Sequence, residues 1–246
     1  MKLIKPKFEI INRDNTIYLK SKTVFINRYI HPEDGEEEEY NPLERYYLNK
    51  HSKVKDDGDN YYITTSIEVL VENGWESDLK YICDPTKYHE KRLTVKFICS
   101  NNFYNLLTSK YWYIVRNFSI NKNFETSTKD NELTFIIPYW LYYSKQHFTS
   151  KDDPSCSIRT DLSENEYLVD LLLDAEDTYN YLVKYYKWDL QKARSILPNS
   201  LKTELGMTGF ESDWKKLFNV VKDEELKELL DPLEEEFIKN NYYINE

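Results

Sequence analysis

The side chains that most often do chemistry, histidine and cysteine, are few in this chain and widely spaced. The histidines are His31, His51, His89 and His147. Metal sites use ligands at short, regular spacings, and these four share none, so we interpret them as ordinary surface residues. The cysteines are Cys83, Cys99 and Cys156. They include no C-x-x-C pair and are odd in number, so we expect free thiols and no metal site.

Charge and hydropathy narrow the class of protein further. The 246-residue chain has 43 acidic and 33 basic residues and a formal net charge of -10. Proteins that coat nucleic acids neutralise phosphates with basic residues, so we expect no nucleic-acid partner. No apolar run approaches the roughly 20 residues that a membrane helix needs, and the first residues are too polar for a signal peptide. We therefore expect a globular, cytoplasmic protein that does not enter a membrane.

Residues 1–30 are expected to be rich in strands, and two polar segments follow them. Residues 1–30 alternate short apolar and polar clusters, a pattern that is typical of strands. Residues 31–39 and 53–60 are polar and flank a tyrosine-rich stretch. We interpret both polar segments as solvated loops.

Three elements are predicted between residues 65 and 138. Apolar residues at helical spacing in 65–73, with Gly74 where a C-terminal cap belongs, predict a short helix. The segment 93–99 begins with period-two alternation and is bounded by an Asn-Asn turn signal, which predicts a strand. Residues 131–138 show a similar pattern and predict a second strand.

The C-terminal half has the character of helices. Ser163 and Glu166 form a capping box in front of an apolar-periodic run over 167–186, which predicts a long helix. Three further helices are predicted, from Asp189 to Pro198, from Ser212 onward, and from Asp223 to Asn240 with an interruption near Pro232. The pattern of strands followed by helices predicts an α+β fold.

One stretch of the C-terminal half also matches a specific motif. Residues 193–198 are Ala-Arg-Ser-Ile-Leu-Pro, and residues 199–215 continue the match. This is similar to the A-R-x-x-L-P element of flavin-dependent thymidylate synthases and to the strand and helix behind it. The segments 93–99 and 131–138 resemble the strand before and the segment after the signature loop of the same family, at the expected spacing.

The resemblance implies a fold, an assembly and a set of ligands. It implies one flavin-dependent thymidylate synthase-like domain over residues 1–246, a mixed sheet with a helical C-terminal half and polar insertions near 31–62 and 82–92. Family members are homotetramers whose active sites are built from several subunits. They bind FAD, deoxyuridine monophosphate (dUMP), methylenetetrahydrofolate and NADPH, and make thymidylate (dTMP) without a protein nucleophile, because the flavin delivers hydride.

The signature positions of the family have lost most of their arginines in this chain. The family has Arg-His-Arg followed by Ser-x-Arg, because an anionic nucleotide and a flavin pyrophosphate need fixed cationic and hydroxyl donors. Residues 109–111 (Ser-Lys-Tyr) align with the triplet and residues 119–121 (Ser-Ile-Asn) with the second element. Arg116 is a nearby cation that would substitute in part.

Two later family positions have changed as well. A nucleotide-binding arginine aligns with Val221, and a flavin-contacting His-x-Gln element aligns with residues 223–225 (Asp-Glu-Glu). Negative charge at the latter position opposes flavin binding. The resemblance therefore implies no catalytic residue and no cofactor, with FAD expected only if the family activity is retained.

Four residues remain as candidate nucleotide ligands: Lys110, Arg116, Ser119 and Arg194. Arg194 lies in the intact A-R-x-x-L-P element, where a nucleotide contact and a structural ion pair both stay open. For Ser119, a turn or capping role is favoured over a phosphate contact. Tyrosines such as Tyr111 and Tyr113 are expected in the core or at interfaces.

Three functional interpretations follow from these positions. The leading one is a pseudoenzyme of the family that binds a nucleoside monophosphate or a partner protein and forms a homotetramer. The second is an active thymidylate synthase in which Lys110, Arg116 and Arg194 carry the phosphates. The third is a pure interaction protein that uses the acidic segment 33–39 and a tyrosine-rich surface. The composition, rich in Asn, Lys and Tyr, would suit a low-GC genome such as a viral one.

Overall fold

The computed structural model describes residues 1–11, 15–24, 27–30, 33, 35, 37–123, 132–138, 140 and 164–242. The strands within these ranges are β1 (Lys2–Ile4), β2 (Lys7–Ile11), β3 (Thr16–Lys22), β4 (Asn27–Ile30), β5 (Glu37–Tyr40), β6 (Lys53–Asp56), β7 (Asn60–Ser66), β8 (Arg92–Ser100), β9 (Ser119–Asn123), β10 (Thr134–Ile136) and β11 (Lys202–Phe210). The α-helices are α1 (Ile67–Asn73), α2 (Asn101–Lys110), α3 (Trp112–Val115), α4 (Glu164–Lys184), α5 (Leu190–Ala193), α6 (Glu211–Val220) and α7 (Glu224–Lys239). Short 3-10 helices cover Pro42–Leu48, Glu76–Tyr81 and Arg194–Ile196. The predicted mixture of sheets and helices is confirmed.

A four-stranded antiparallel sheet in the order β2-β8-β11-β9 carries the main core. β11 pairs with β8 over its whole length, from Lys202 opposite Ser100 to Phe210 opposite Arg92. Alternate residues of β8, namely Val95, Phe97 and Cys99, are fully buried in one cluster. Helices α2, α3, α6 and α7 and strand β11 contribute most of the other side chains of that cluster. The alternation that predicts β8 thus reflects one sheet face covered by helices.

Trp214 of α6 lies at the centre of this core and is fully buried. Its indole Nε1 donates to the Leu93 carbonyl oxygen at 3.4 Å. Its ring packs edge-to-face with Phe118 at 4.7 Å and Phe237 at 5.6 Å between centroids. Such aromatic pairs contribute about 0.5–1.5 kcal/mol each beyond the area that they bury.

The N-terminal region has more strand than the sequence pattern predicts. A second sheet, in the order β3-β7-β6, packs on a separate cluster that includes Leu19, Leu43 and Ile63. The loop prediction for 53–60 is wrong in its first half, because β6 pairs with β7 from Lys53 opposite Thr64 to Asp56 opposite Tyr61. The loop prediction for 31–39 is wrong at its end, where β5 pairs with β4. Backbone pairing at a sheet edge tolerates polar side chains, which hides such strands from hydropathy.

A third layer joins β1, β10 and the long helix α4. β1 and β10 form a parallel pair, and Phe135 of β10 is fully buried with Leu172 and Tyr179 of α4. Thr134–Ile136 confirms the strand predicted within 131–138, although it is shorter. Helix α4 confirms the long helix of the C-terminal half, while the predicted cap residue Ser163 lies outside the described residues. Among the described residues, no helix is both long and apolar enough to cross a bilayer.

Helix ends show where the sequence signals were sufficient and where they were not. Gly74 is in the left-handed region at φ 68° and its N–H bonds the Val71 carbonyl, while Trp75 N bonds Leu70 O at 2.8 Å, a Schellman cap as predicted. The predicted interruption near Pro232 is wrong, because α7 continues through this residue. Its apolar face is buried at Leu229, Leu230 and Leu233, so packing outweighs the hydrogen bond that proline lacks.

Candidate functional site

Lys110, the one cation in the aligned signature triplet, is held by a carboxylate of its own chain. It is the last residue of α2, and its Nζ lies 2.5 Å from Asp223 Oδ1 at the start of α7. Asp223 raises the pKa of Lys110 by this hydrogen bond, and Lys110 is the largest cause of the lowered pKa of Asp223. The ammonium of Lys110 thus already has an anionic partner.

Asp223 also engages Tyr111. The Tyr111 hydroxyl donates to Asp223 Oδ2 at 2.6 Å and accepts from the Lys222 backbone N–H at 3.1 Å. Tyr111 is buried, as expected, and burial is the main cause of its raised pKa. Lys110 and Tyr111, two of the three residues aligned with the triplet, therefore both bind the Asp223 carboxylate and use both of its oxygens.

The position aligned with the nucleotide-binding arginine, Val221, and one position aligned with the flavin-contacting element, Glu225, also make contacts within the chain. Val221 is buried in the main core cluster. Glu225 accepts hydrogen bonds from Ser100 at 2.9 Å and from Asn102 at 2.6 Å, at the start of α2. Both carboxylate oxygens of Glu225 are thus used by donors of the chain, and a carboxylate supplies no donor to a pyrophosphate.

Arg116 and Ser119 lie on the surface. Arg116 caps α3, with its backbone N–H donating to the Trp112 carbonyl at 2.9 Å, and its side chain is exposed. Ser119 begins β9 opposite Thr208 of β11 and is also exposed. Neither of them, nor Lys110, lines either of the two cavities described here.

Arg194 is the predicted candidate that lies at a cavity. It begins the 3-10 turn Arg194–Ile196 directly after α5, and it is half-buried. It lines an open cleft of about 640 Å³ together with Lys187, Trp188 and Gln191. The structure therefore separates Arg194 from the Lys110–Asp223 pair, and the four candidates do not line one described cavity.

The chain that follows α4 forms one wall of this cleft. Lys187 has φ 53°, a left-handed conformation that is uncommon for a residue with a side chain. It turns the chain so that Trp188 N donates to the Leu182 carbonyl at 3.1 Å. Asp189 then caps α5 by accepting from Gln191 N at 2.8 Å. The sequence analysis missed Lys187, Trp188 and Gln191, although the capping Asp189 just before the A-R-x-x-L-P element was visible.

The hydroxyl of Tyr179 belongs to the same neighbourhood. It is buried and, among the described residues, has no hydrogen-bond partner. Burial raises the pKa of Tyr179, while the nearby charge of Arg194 opposes that rise. Arg194 is thus close enough to act on Tyr179 electrostatically.

His89 and Cys83 are in contact, but they do not form a nucleophilic pair. His89 Nδ1 accepts from Thr86 N at 3.0 Å, so Nε2 carries the proton that is donated to the Leu19 carbonyl at 3.1 Å. The Cys83 sulfur, 3.8 Å from Nε2, therefore faces a donor that cannot take its proton. Burial raises the pKa of Cys83 and lowers that of His89.

The structure corrects the prediction for one histidine and supports that for the thiols. His89 is buried rather than on the surface, and His51 is half-buried. Cys83 and Cys99 are free cysteines, as expected. No group of three or more metal-binding side chains occurs within the described ranges. His31, His147 and Cys156 lie outside those ranges.

Comparison with known proteins does not assign a family. No protein-family model matches the chain, and no curated protein matches it. Among solved structures, the chain is similar to PolB from Streptomyces cacaoi, a UMP/dUMP methylase whose crystal structure has 5-Br dUMP bound. The match covers 97% of this chain and 93% of that chain, at 14% sequence identity and a TM-score of 0.47. At this sequence identity and TM-score, the match assigns neither a family nor a function to the present chain.

Proposed function

We propose that this protein is a catalytically degraded homologue of the flavin-dependent thymidylate synthases that binds a nucleoside monophosphate without turning it over. The observation that carries the proposal is Arg194. This cation of the A-R-x-x-L-P element lines an open cleft with a second cation, Lys187. We further propose that the protein is a homotetramer, as the resemblance implies, and that it is located in the cytoplasm.

The chemistry of the cleft suits one phosphate group. A guanidinium binds two phosphate oxygens at once, and the Lys187 ammonium adds a mobile point charge. Gln191 contributes an amide at the rim. Asp189 also lines the cleft and offsets part of the positive charge. We therefore expect weak binding of a monophosphate, filling only at high micromolar to millimolar concentration.

The absence of turnover is proposed from the signature positions. A working site would need cations available to the nucleotide and to a flavin, whereas Lys110 is paired with Asp223 and Val221 is buried. Each lost charge-assisted hydrogen bond weakens binding by roughly 1.5–3 kcal/mol. An active synthase that uses Lys110, Arg116 and Arg194 would also need Lys110 to exchange its Asp223 partner for the nucleotide.

A second candidate function, protein interaction, is favoured by the surface of α4. Exposed apolar and aromatic side chains recur along this helix and just after it, at Tyr167, Leu171, Tyr181 and Tyr185. They repeat after 14 residues, which is close to four helical turns, so they share one side of the helix. An exposed apolar stripe of this kind is typical of an interface.

The experiment that tests nucleotide binding is a thermal shift titration with UMP and dUMP. A ligand at 100 times its Kd stabilises the folded state by about 2.7 kcal/mol, which moves the melting temperature measurably. Arg194→Gln should abolish the shift. Lys184→Gln is the matched control, because it also removes one positive charge, from an exposed residue at the end of α4 that does not line the cleft, and it should leave the shift unchanged. No shift of the wild-type protein at millimolar nucleotide would leave only the interaction function.

The absence of flavin chemistry is tested on the same preparation. We expect a colourless protein that makes no dTMP from dUMP when FAD, methylenetetrahydrofolate and NADPH are supplied. Stoichiometric flavin absorption, or turnover above the enzyme-free control, would support the active synthase instead.

A further inference from the structure

A cavity of about 240 Å³ lies at the starts of α2 and α7, apart from the Arg194 cleft. Residues that follow β10 and the turn at Asn199–Ser200 complete its wall. The wall is mainly apolar, with side chains from Phe103, Ile137 and Leu229. Ligand sites for drug-sized molecules occupy about 300–1,000 Å³, so this cavity suits a compact body such as a single ring.

One carboxylate in the cavity wall is held in a fixed position. Glu225 Oε1 accepts from Ser100 Oγ at 2.9 Å, and Oε2 accepts from Asn102 Nδ2 at 2.6 Å. Ser100 in turn caps α2 by accepting from Phe103 N at 2.9 Å. Glu225 thus lies in the first turn of α7 and beside the first turn of α2, and both helix N-termini favour a negative charge. Each carboxylate oxygen can accept a further hydrogen bond.

Two other polar groups line the same cavity. Glu228, one turn after Glu225 on α7, adds a second carboxylate to the wall. Ser200 also lines the cavity, and its Oγ is buried without a hydrogen-bond partner among the described residues. A buried hydroxyl without a partner is unusual in folded proteins and points to a group that is supplied by a ligand.

The charge of the wall determines the class of ligand. Among the described residues that line the cavity, two are acidic and none is basic. A phosphate or carboxylate ligand would be repelled there, whereas an ammonium or amidinium would gain a charge-assisted hydrogen bond. We propose that this cavity binds a small organic cation, an amine or amidine carried on a compact apolar body, with Glu225 as its counter-ion.

Three probes of nearly equal size test the proposal by isothermal titration calorimetry on the full chain. Benzamidine is cationic, benzamide is neutral and benzoate is anionic. We expect benzamidine to bind at least about tenfold more tightly than benzamide, the value of one charge-assisted contact, and benzoate not to bind. Equal affinity for benzamidine and benzamide would overturn the proposal.

The variants assign the binding to this cavity. Glu225→Gln should weaken benzamidine binding about tenfold or more, while Glu224→Gln, an exposed neighbour in the same first turn, should leave it unchanged. Ile137→Phe adds volume in the cavity without removing a polar group, so it should abolish benzamidine binding. This variant keeps the assignment testable in the event that Glu225→Gln does not fold. Retained binding in Ile137→Phe would overturn the assignment. Arg194→Gln should not affect benzamidine, which keeps this result independent of the nucleotide cleft.

Discussion

The contact between Gly209 and Phe118 allows a substitution to be predicted with a magnitude. Gly209 lies in β11, and a Cβ at this position would lie 2.5 Å from Cδ1 and 2.5 Å from Cε1 of the Phe118 ring. Ordinary carbon contacts are about 3.5–4.0 Å, so the ring would have to move by about 1 Å or more. The ring cannot move freely, because Phe118 is 4% exposed and packs edge-to-face on the buried Trp214.

Gly209→Ala should therefore destabilise the fold. Overpacking of a dense core costs typically 1–3 kcal/mol. For a chain of about this length, each kcal/mol lowers the melting temperature by about 2–4 °C. We expect a decrease of roughly 2–12 °C, together with a lower midpoint in urea at an unchanged m-value.

A double-mutant cycle identifies the cause. In a Phe118→Leu background, the smaller side chain leaves room for the new methyl group, so Gly209→Ala should cost much less there. If Gly209→Ala is as destabilising in that background as in the wild-type protein, the clash with Phe118 is not the reason. A single mutant within about 0.5 kcal/mol of the wild type would refute the packing argument directly.

Three further predictions concern pH and assembly. The Lys110 hydrogen bond lowers the pKa of Asp223 from 3.8, so this ion pair stabilises the fold above pH 3.8 and the stabilisation is lost as the pH falls further. Asp223→Asn should therefore be less stable than the wild type in urea unfolding at pH 7, and the difference should shrink below pH 3.8. Burial lowers the pKa of His89 from 6.5, so as the pH falls the unfolded chain binds a proton at this residue before the folded chain does. The free energy of unfolding should therefore decrease below pH 6.5, and it should decrease less steeply in His89→Gln. Light scattering should give a mass that is a multiple of 29.7 kDa, and we expect that of a tetramer. The double variant Tyr181→Glu, Tyr185→Glu should shift the measured mass toward that of the monomer. A monomer mass for the wild-type protein would contradict the proposed assembly.

Local signals in the sequence predicted those elements whose cause is local. Gly74 ends α1 because a left-handed residue is needed there, and the alternation in β8 marks a sheet covered on one face. β6 escaped prediction because its pairing with β7 is set by the backbone and leaves its side chains polar. The continuity of α7 through Pro232 depends on leucines that bury against other elements, which no window of sequence reveals.

The candidate site was predicted less completely than the fold. The A-R-x-x-L-P element identified Arg194, but its neighbours in the cleft come from the end of α4, where the left-handed Lys187 sets the direction of the chain. The partner of Lys110 lies 113 residues away in the sequence. Glu225 was placed on the flavin side by alignment alone, and no signal in the sequence indicated its contacts with Ser100 and Asn102 or the cavity that it lines. Contacts between distant elements decided each of these outcomes.

Asp223, at the start of α7, binds Lys110 and Tyr111, and the Tyr111 hydroxyl also accepts from the Lys222 N–H. This arrangement determines the order in which substitutions could create an anion site here. An arginine introduced at position 111 would lie beside Asp223, because Tyr111 already contacts this carboxylate, and would pair with it rather than with a phosphate. Replacement of Asp223 has to come first, and alone it removes the partner of Lys110. Substitutions at this corner are therefore epistatic, and arginines introduced one at a time gain nothing until the carboxylate is replaced.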